Sequence, residues 1–105
     1  MNKIIKNHFK SVIQKYLNDE LSDWIEWDDI LSISHGDDYT SENVSLLCAA
    51  LTDGEYYNIN DEEQKKKSNK LLGKLLLKLE GDEDQLDKWI LKTLNDVKKE
   101  KNNAP

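Results

Sequence analysis

The chain has 105 residues, of which 37% are hydrophobic and 34% are charged, and its formal net charge is −6. This length indicates a single domain with a modest core, and the clustered apolar residues exclude wholesale disorder. The longest apolar run, 46–51, is too short to cross a bilayer, and the first ten residues lack the apolar stretch of a signal peptide. The single cysteine cannot form an internal disulfide. We therefore expect a cytoplasmic protein without a membrane partner.

The first two helices are predicted from the spacing of apolar residues. Residues 3–18 place their apolar side chains on one stripe, and Asn2 is a suitable N-cap. Residues 21–33 are predicted as a second helix, which buries Trp24 and Ile25 and ends near Gly36. The β-branched and aromatic residues of this segment leave a strand open for part of it.

The third helix is predicted to begin after a polar loop. Thr40 or Ser41 caps it, it extends through Thr52, and Gly54 ends it. Its apolar residues lie on one side, which indicates that this side faces the core.

The last two helices are separated by a short link around Gly81. The fourth begins with a capping box formed by Asn60 and Glu63 and extends to Glu80. Its polar residues 61–70 are expected to overhang the core or to fray. The fifth covers about 83–97.

These elements predict an all-α protein, a small bundle of four to five short helices. The short link favours an antiparallel hairpin of the last two helices. A single helical domain is expected over 1–97, followed by a disordered C-terminal tail over 98–105.

Charge is segregated along the chain. Residues 16–64 contain fourteen acids and no lysine, whereas the remainder contains seven acids and all fifteen lysines. The middle segment therefore carries −14 and the remainder +8. Such segregation creates a directed electric field if the fold keeps the two regions apart.

Catalytic and metal-binding chemistry find little support in the sequence. His35 with Asp37 and Asp38 is the best candidate for a metal-dependent hydrolase, but no second His or Cys stands at ligand spacing. Cys48 lies within an apolar stretch and is interpreted as a core residue. We expect no enzyme activity, metal or cofactor.

Direct nucleic-acid binding is also disfavoured. The lysines at 65–67 are matched, four residues earlier, by the acids at 61–63. The chain contains no arginine, the residue that makes bidentate contacts with phosphates and bases.

The acidic middle segment is predicted to bind a basic protein partner. Charged side chains accelerate encounter, and aromatic side chains supply most of the binding energy. An ordinary solvated surface is the alternative interpretation for the acids, and a place in the core is the alternative for each aromatic. The predicted partner-binding residues are the acids and interleaved aromatics of this segment: Asp23, Glu26, Trp27, Asp28, Asp29, Asp37, Asp38, Tyr39, Glu55, Tyr56 and Tyr57.

An acidic second helix followed by Glu55-Tyr56-Tyr57 resembles the immunity proteins of DNase bacteriocins. Those proteins are small acidic helical bundles that bind a basic nuclease through an acidic helix and a segment bearing a Tyr-Tyr pair. The resemblance implies an inhibitor of a basic toxin or nuclease. A related possibility is a DNA mimic, in which carboxylates replace phosphates at a nucleic-acid-binding site.

A regulatory or scaffold module that associates through its helices is the alternative function. The leucine stripe of the fourth helix is widened by Leu77 beyond what one neighbouring helix needs. The chain is therefore expected to be a monomer or a weak homodimer.

Overall fold

The computed structural model describes residues 1–32 and 38–102, and these residues form five helices and no strand. The helices are α1 (Lys3–Leu17), α2 (Ile25–Leu31), α3 (Tyr39–Thr52), α4 (Glu62–Lys78) and α5 (Glu83–Asn102). The prediction of a small all-α bundle is confirmed.

Helix α3 lies at the centre and contacts α2, α4 and α5, while α1 packs against α2 and α4. Cross-helix contacts give the directions: Lys10 pairs with Glu80 and Lys65 with Asp19, so α1 and α4 are antiparallel. The pair of Lys67 and Glu100 places the start of α4 beside the end of α5, so these two helices are antiparallel as well. The closest packing of α5 is nevertheless on α3.

One apolar core joins the five helices. Every helix contributes to it because each carries apolar residues at the three- and four-residue spacing that defines one helix face. Its largest fully buried side chains are Phe9, Ile13, Trp27, Ile30, Val44, Leu47, Leu51, Leu72, Leu75, Leu79, Leu86 and Ile90.

Helices α1, α3 and α4 begin at a residue whose side chain caps the helix, and for α3 and α4 this residue lies one to three positions from the predicted cap. Asn2 caps α1 as predicted, because its side chain accepts hydrogen bonds from the backbone N–H groups of Ile4 and Ile5. Asp38 rather than Thr40 or Ser41 caps α3, and Asp61 rather than Asn60 caps α4. Aspartate and asparagine are equally good N-caps, so local chemistry alone does not choose between neighbours.

Helix α2 is shorter than predicted and presents a different face to the core. It begins at Ile25 instead of residue 21, and it buries Trp27 and Ile30. Trp24 and Ile25, which were expected in the core, are 51% and 66% exposed. The prediction was wrong because residues 18–24 are not helical, so a face extrapolated from residue 21 does not apply. The predicted end near Gly36 lies outside the described residues.

The outer parts of α4 and α5 are more ordered than predicted. Ser68, within the polar stretch expected to overhang the core or to fray, is fully buried and donates a 2.6 Å hydrogen bond to the carbonyl of Leu51. Helix α5 extends to Asn102, so residues 98–102 are helical and were wrongly assigned to a tail. Residues 103–105 lie outside the described part of the chain.

Candidate protein-binding surface

The structure separates the predicted partner-binding residues into three places. One group lies on and before α2, a second at the start of α3, and a third in the connection between α3 and α4. Asp37 lies outside the described residues.

The first group forms an exposed acidic surface. Ile25, Asp28 and Asp29 share one side of α2 because they are three and four residues apart. Asp23 precedes the helix and accepts a 2.8 Å hydrogen bond from the backbone N–H of Ile25. Together with the exposed Trp24 these residues, Asp23, Trp24, Ile25, Asp28 and Asp29, are called the α2 surface. None of its three acids takes part in an ion pair among the described residues.

Two residues of α2 that were predicted to bind the partner make contacts within the fold instead. Trp27 is 2% exposed, stacks near Tyr16 with ring centroids 4.6 Å apart, and hydrogen-bonds Thr52. It is therefore a core residue and not an exposed anchor. Glu26 is half-buried and pairs with Lys15 at 2.9 Å.

The second group lies at the N-terminus of α3, which Asp38 caps. Asp38 accepts hydrogen bonds from the backbone N–H and the hydroxyl of Ser41. Burial raises the pKa of this carboxyl, but the bonds from Ser41, the N-terminal ammonium and the backbone of Thr40 together outweigh burial, so the pKa is lowered overall. Asp38 is thus a structural cap. Tyr39, 57% exposed, is the member of this group that stands free in solvent.

The third group lies beside the basic end of α5. The Lys101 ammonium lies 5.5 Å from the ring centre of Tyr56 and donates to the carbonyl of Glu55. Tyr57 is 6% exposed, and its pKa is raised by burial and by the nearby Glu100. The Tyr-Tyr pair therefore faces the C-terminal end of α5.

A cavity that was not predicted from the sequence adjoins the α2 surface. It has a volume of about 390 Å³ and is formed by three separate segments of the chain. Its walls comprise Tyr16, Asp19, Leu21, Ser22, Asp23, Trp24, Ile59, Asn60 and Lys65. Because these segments are distant in sequence, only the exposed position of Trp24 could have indicated the cavity, and that position was mispredicted.

Tyr16 is the buried polar residue of this cavity. Its side chain is 7% exposed, and its hydroxyl has no hydrogen-bond partner among the described residues. Burial and then the negative charge of Asp19 raise the pKa of this phenol. Asp19 is thus close enough to act on the hydroxyl electrostatically. A buried hydroxyl without a partner is uncommon in native structures and calls for an explanation.

The segregation of charge in the sequence persists in the fold. Lysines occur on α1, α4 and α5, whereas α2 and α3 carry acids and no lysine. The ion pairs of Lys15 with Glu26 and of Lys65 with Asp19 lie at the boundary between these regions. The α2 surface beyond that boundary keeps its charges unpaired among the described residues.

The described residues also bear on metal binding and on membrane insertion. Among them, no group of three or more His, Cys, Asp or Glu residues is arranged to hold a metal ion. None of the described helices is both long enough and apolar enough to span a membrane. Within the hydrolase candidate, His35 and Asp37 lie outside the described residues, and Asp38 is engaged as a cap.

Comparison of the chain with family models, curated proteins and solved structures gave no match. The resemblance to bacteriocin immunity proteins thus extends no further than an acidic helix and a tyrosine pair.

Proposed function

We propose that this protein binds a basic protein and neutralises it, as an inhibitor of the toxin-immunity or nuclease-inhibitor type. The observation that carries the proposal is the α2 surface, where exposed apolar and acidic side chains adjoin. Trp24 and Ile25 are more than half exposed beside three carboxylates without described ion-pair partners. Exposing large apolar groups in this way is typical of a binding site.

The two kinds of side chain have separate roles in this proposal. The carboxylates of Asp23, Asp28 and Asp29 attract a positively charged partner and accelerate association. Trp24 and Ile25 become buried on binding and slow dissociation. This role requires binding only, so no catalytic group or cofactor is part of the proposal.

Affinity capture tests whether a basic partner exists. The tagged protein is used to capture proteins at low and at high salt, with the triple variant Asp23→Ser, Asp28→Asn, Asp29→Asn in parallel. The matched control carries Glu63→Gln, Asp84→Asn and Asp96→Asn, which remove the same charge from exposed acids outside the α2 surface. We expect a basic protein to be enriched by the wild type and the control, and lost with the triple variant.

Binding kinetics with that partner then separate the two roles. The association rate should fall as salt rises, because exposed charges are screened beyond about 8 Å at physiological ionic strength. The triple variant should lower the association rate, whereas Trp24→Ala should mainly raise the dissociation rate. Capture of no basic protein, or equal losses for the triple variant and its control, would refute the proposal.

A DNA mimic is a variant of this function and differs in one measurable respect. If the carboxylates replace phosphates, nucleic acid and this protein should compete for the same site on the partner. Competition by duplex DNA in the kinetic assay supports the mimic, and simultaneous binding supports an inhibitor that acts at another site.

Self-association through helices is the second candidate function. Leu77 on α4 is 77% exposed, which leaves an apolar side chain outside the core. Sedimentation equilibrium of the wild type and of Leu77→Glu tests it. A dimer that is abolished by the substitution supports a scaffold role, and a monomer over the whole concentration range excludes it.

A further inference from the structure

The cavity beside the α2 surface combines charge, an aromatic ring and a buried polar group. Asp19 and Asp23 supply two carboxylates, Trp24 supplies an indole ring, and Tyr16 supplies a phenol. Its volume of about 390 Å³ lies within the range of about 300–1,000 Å³ that ligand pockets occupy. An end group of one side chain fits such a space.

We propose that this cavity binds the guanidinium group of an arginine side chain presented by the basic partner. The inference rests on the proposed function and names the group that the partner inserts. It adds Tyr16 and Asp19, neither of which belongs to the α2 surface, to the binding site.

A cation of the chain itself lies at the cavity wall, beside the exposed carboxylate of Asp19. Lys65 lies in the cavity wall, and its ammonium nitrogen is 3.7 Å from the Asp19 carboxylate. This separation is longer than a direct hydrogen bond, and the Lys65 side chain is partly exposed at 39%. An incoming cation can therefore displace Lys65 from Asp19 at little cost, because partly exposed ion pairs contribute little to stability.

Two features favour a guanidinium over an ammonium group. A guanidinium is planar and carries five N–H donors, so it can bond more than one carboxylate while it stacks on an aromatic ring. Asp23 uses one oxygen to accept from Ile25 and leaves its second oxygen without a partner among the described residues. Trp24 provides the aromatic face, and tryptophan is the side chain that best attracts a cation over its ring.

The Tyr16 hydroxyl supplies the independent indication of a ligand. It is buried and has no partner among the described residues, although its neighbour Asp19 is charged. A guanidinium N–H held between the carboxylates would give this hydroxyl the donor that it lacks. Because this hydroxyl makes no hydrogen bond among the described residues, removing it should not weaken the fold. A loss of ligand binding in Tyr16→Phe can therefore be distinguished from a loss of stability.

The test uses the isolated protein and a small probe, N-acetyl-arginine amide. The matched control is N-acetyl-citrulline amide, which has the same length and shape but no charge, and N-acetyl-lysine amide tests the preference for guanidinium. Binding is followed by two-dimensional NMR of the indole N–H signals, of which the Trp24 signal is identified by its loss in Trp24→Leu. We expect millimolar binding of the arginine probe, several-fold weaker binding of the lysine probe, and no shift with the citrulline probe.

Four substitutions locate the site. Tyr16→Phe and Asp23→Asn should each weaken binding of the arginine probe by about 3–10-fold. The melting temperature of Tyr16→Phe should be equal to or above that of the wild type. Lys65→Met should strengthen it by about 2–5-fold, since it removes the internal competitor. Asp96→Asn, which removes an exposed acid of α5 outside both the cavity and the α2 surface, should leave the affinity within about twofold.

The outcomes distinguish the cavity from the proposed function. Equal shifts with arginine and citrulline probes, equal effects of Asp23→Asn and Asp96→Asn, or full affinity in Tyr16→Phe would overturn the arginine site. If a basic protein is captured but the arginine probe does not bind, the cavity proposal fails and the proposed function stands. If the probe binds but no basic protein is captured, the proposed function fails, and with it the assignment of the arginine to a protein partner.

Discussion

The indole Nε1 of Trp27 donates a hydrogen bond of 2.9 Å to the hydroxyl of Thr52, and that hydroxyl donates to the carbonyl of Cys48 at 2.8 Å. This relay fastens the short helix α2 to the last turn of α3. It also explains how a seven-residue helix, too short to be stable alone, keeps its orientation.

Thr52→Val should destabilise the fold although it preserves the shape of the side chain. The substitution leaves the buried indole N–H of Trp27 without an acceptor, which costs about 1–3 kcal/mol. Thr52→Ser keeps the hydroxyl and is the control. Urea denaturation measures the free energy of unfolding, and equal values for the two variants would show that the hydrogen bond is unimportant.

Ser68→Ala distinguishes the structure of α4 from the expectation of fraying. In a frayed, solvated turn the substitution would stabilise the helix, since alanine has the higher helix propensity. In the structure it removes a buried hydrogen bond to Leu51, so we expect a loss of about 0.5–1.5 kcal/mol. Lys66→Ala on the exposed side of α4 is the control, and chemical denaturation gives the sign.

The sequence predicts the helices well and the exposed surface poorly. Periodicity and caps are local, so α1 was predicted nearly to the residue and the α3 and α4 caps to within a few positions. Whether Trp24 or Trp27 is buried depends on where α2 begins, and that is decided by packing against α1 and α3. Local spacing placed Trp24 in the core and left Trp27 undecided.

Local spacing also does not predict which candidate binding residues lie together in the fold. Glu55, Tyr56 and Tyr57 were grouped with the acids of α2 because all lie in the acidic segment 16–64, but the fold places residues 55–57 beside Lys101 of α5. The cavity beside α2 is assembled from 16–24, 59–60 and 65. The spacing of residues within one of these segments does not indicate which other segments lie beside it.

The Asp38 cap predicts a pH dependence of stability. Its pKa is lowered in the folded protein, so its contribution is complete above the unfolded value of about 3.9 and is lost as pH falls through the folded value. Asp38→Ala should cost about 0.5–2 kcal/mol at pH 7, and this cost should shrink towards acid pH. Asp38→Asn keeps an equally good cap without a titratable group, so its stability relative to Asp38→Ala should be independent of pH. Thermal denaturation between pH 2 and 7 measures all three proteins, and a cost for Asp38→Ala that does not change with pH would contradict the prediction.

The closest helix pair, α3 and α5, is joined by a polar contact as well as by apolar packing. The Asp87 carboxylate accepts hydrogen bonds from the Thr40 hydroxyl at 3.1 Å and from the Asn43 amide at 3.0 Å. Thr40 and Asn43 are 6% and 3% exposed, so water cannot readily replace the carboxylate. We therefore expect Asp87→Ala to destabilise the fold by about 1–3 kcal/mol, chiefly by leaving two buried donors unsatisfied.

A double-mutant cycle tests this origin of the loss. If Asp87 acts through Thr40, Asp87→Ala should cost less in a Thr40→Val background, with a coupling free energy of about 0.5–3 kcal/mol. Asp87→Asn retains one acceptor oxygen and should fall between the wild type and Asp87→Ala, whereas Asp96→Ala, an exposed acid of the same helix, should have little effect. Additive losses for Asp87→Ala and Thr40→Val would show that the two side chains stabilise the protein independently.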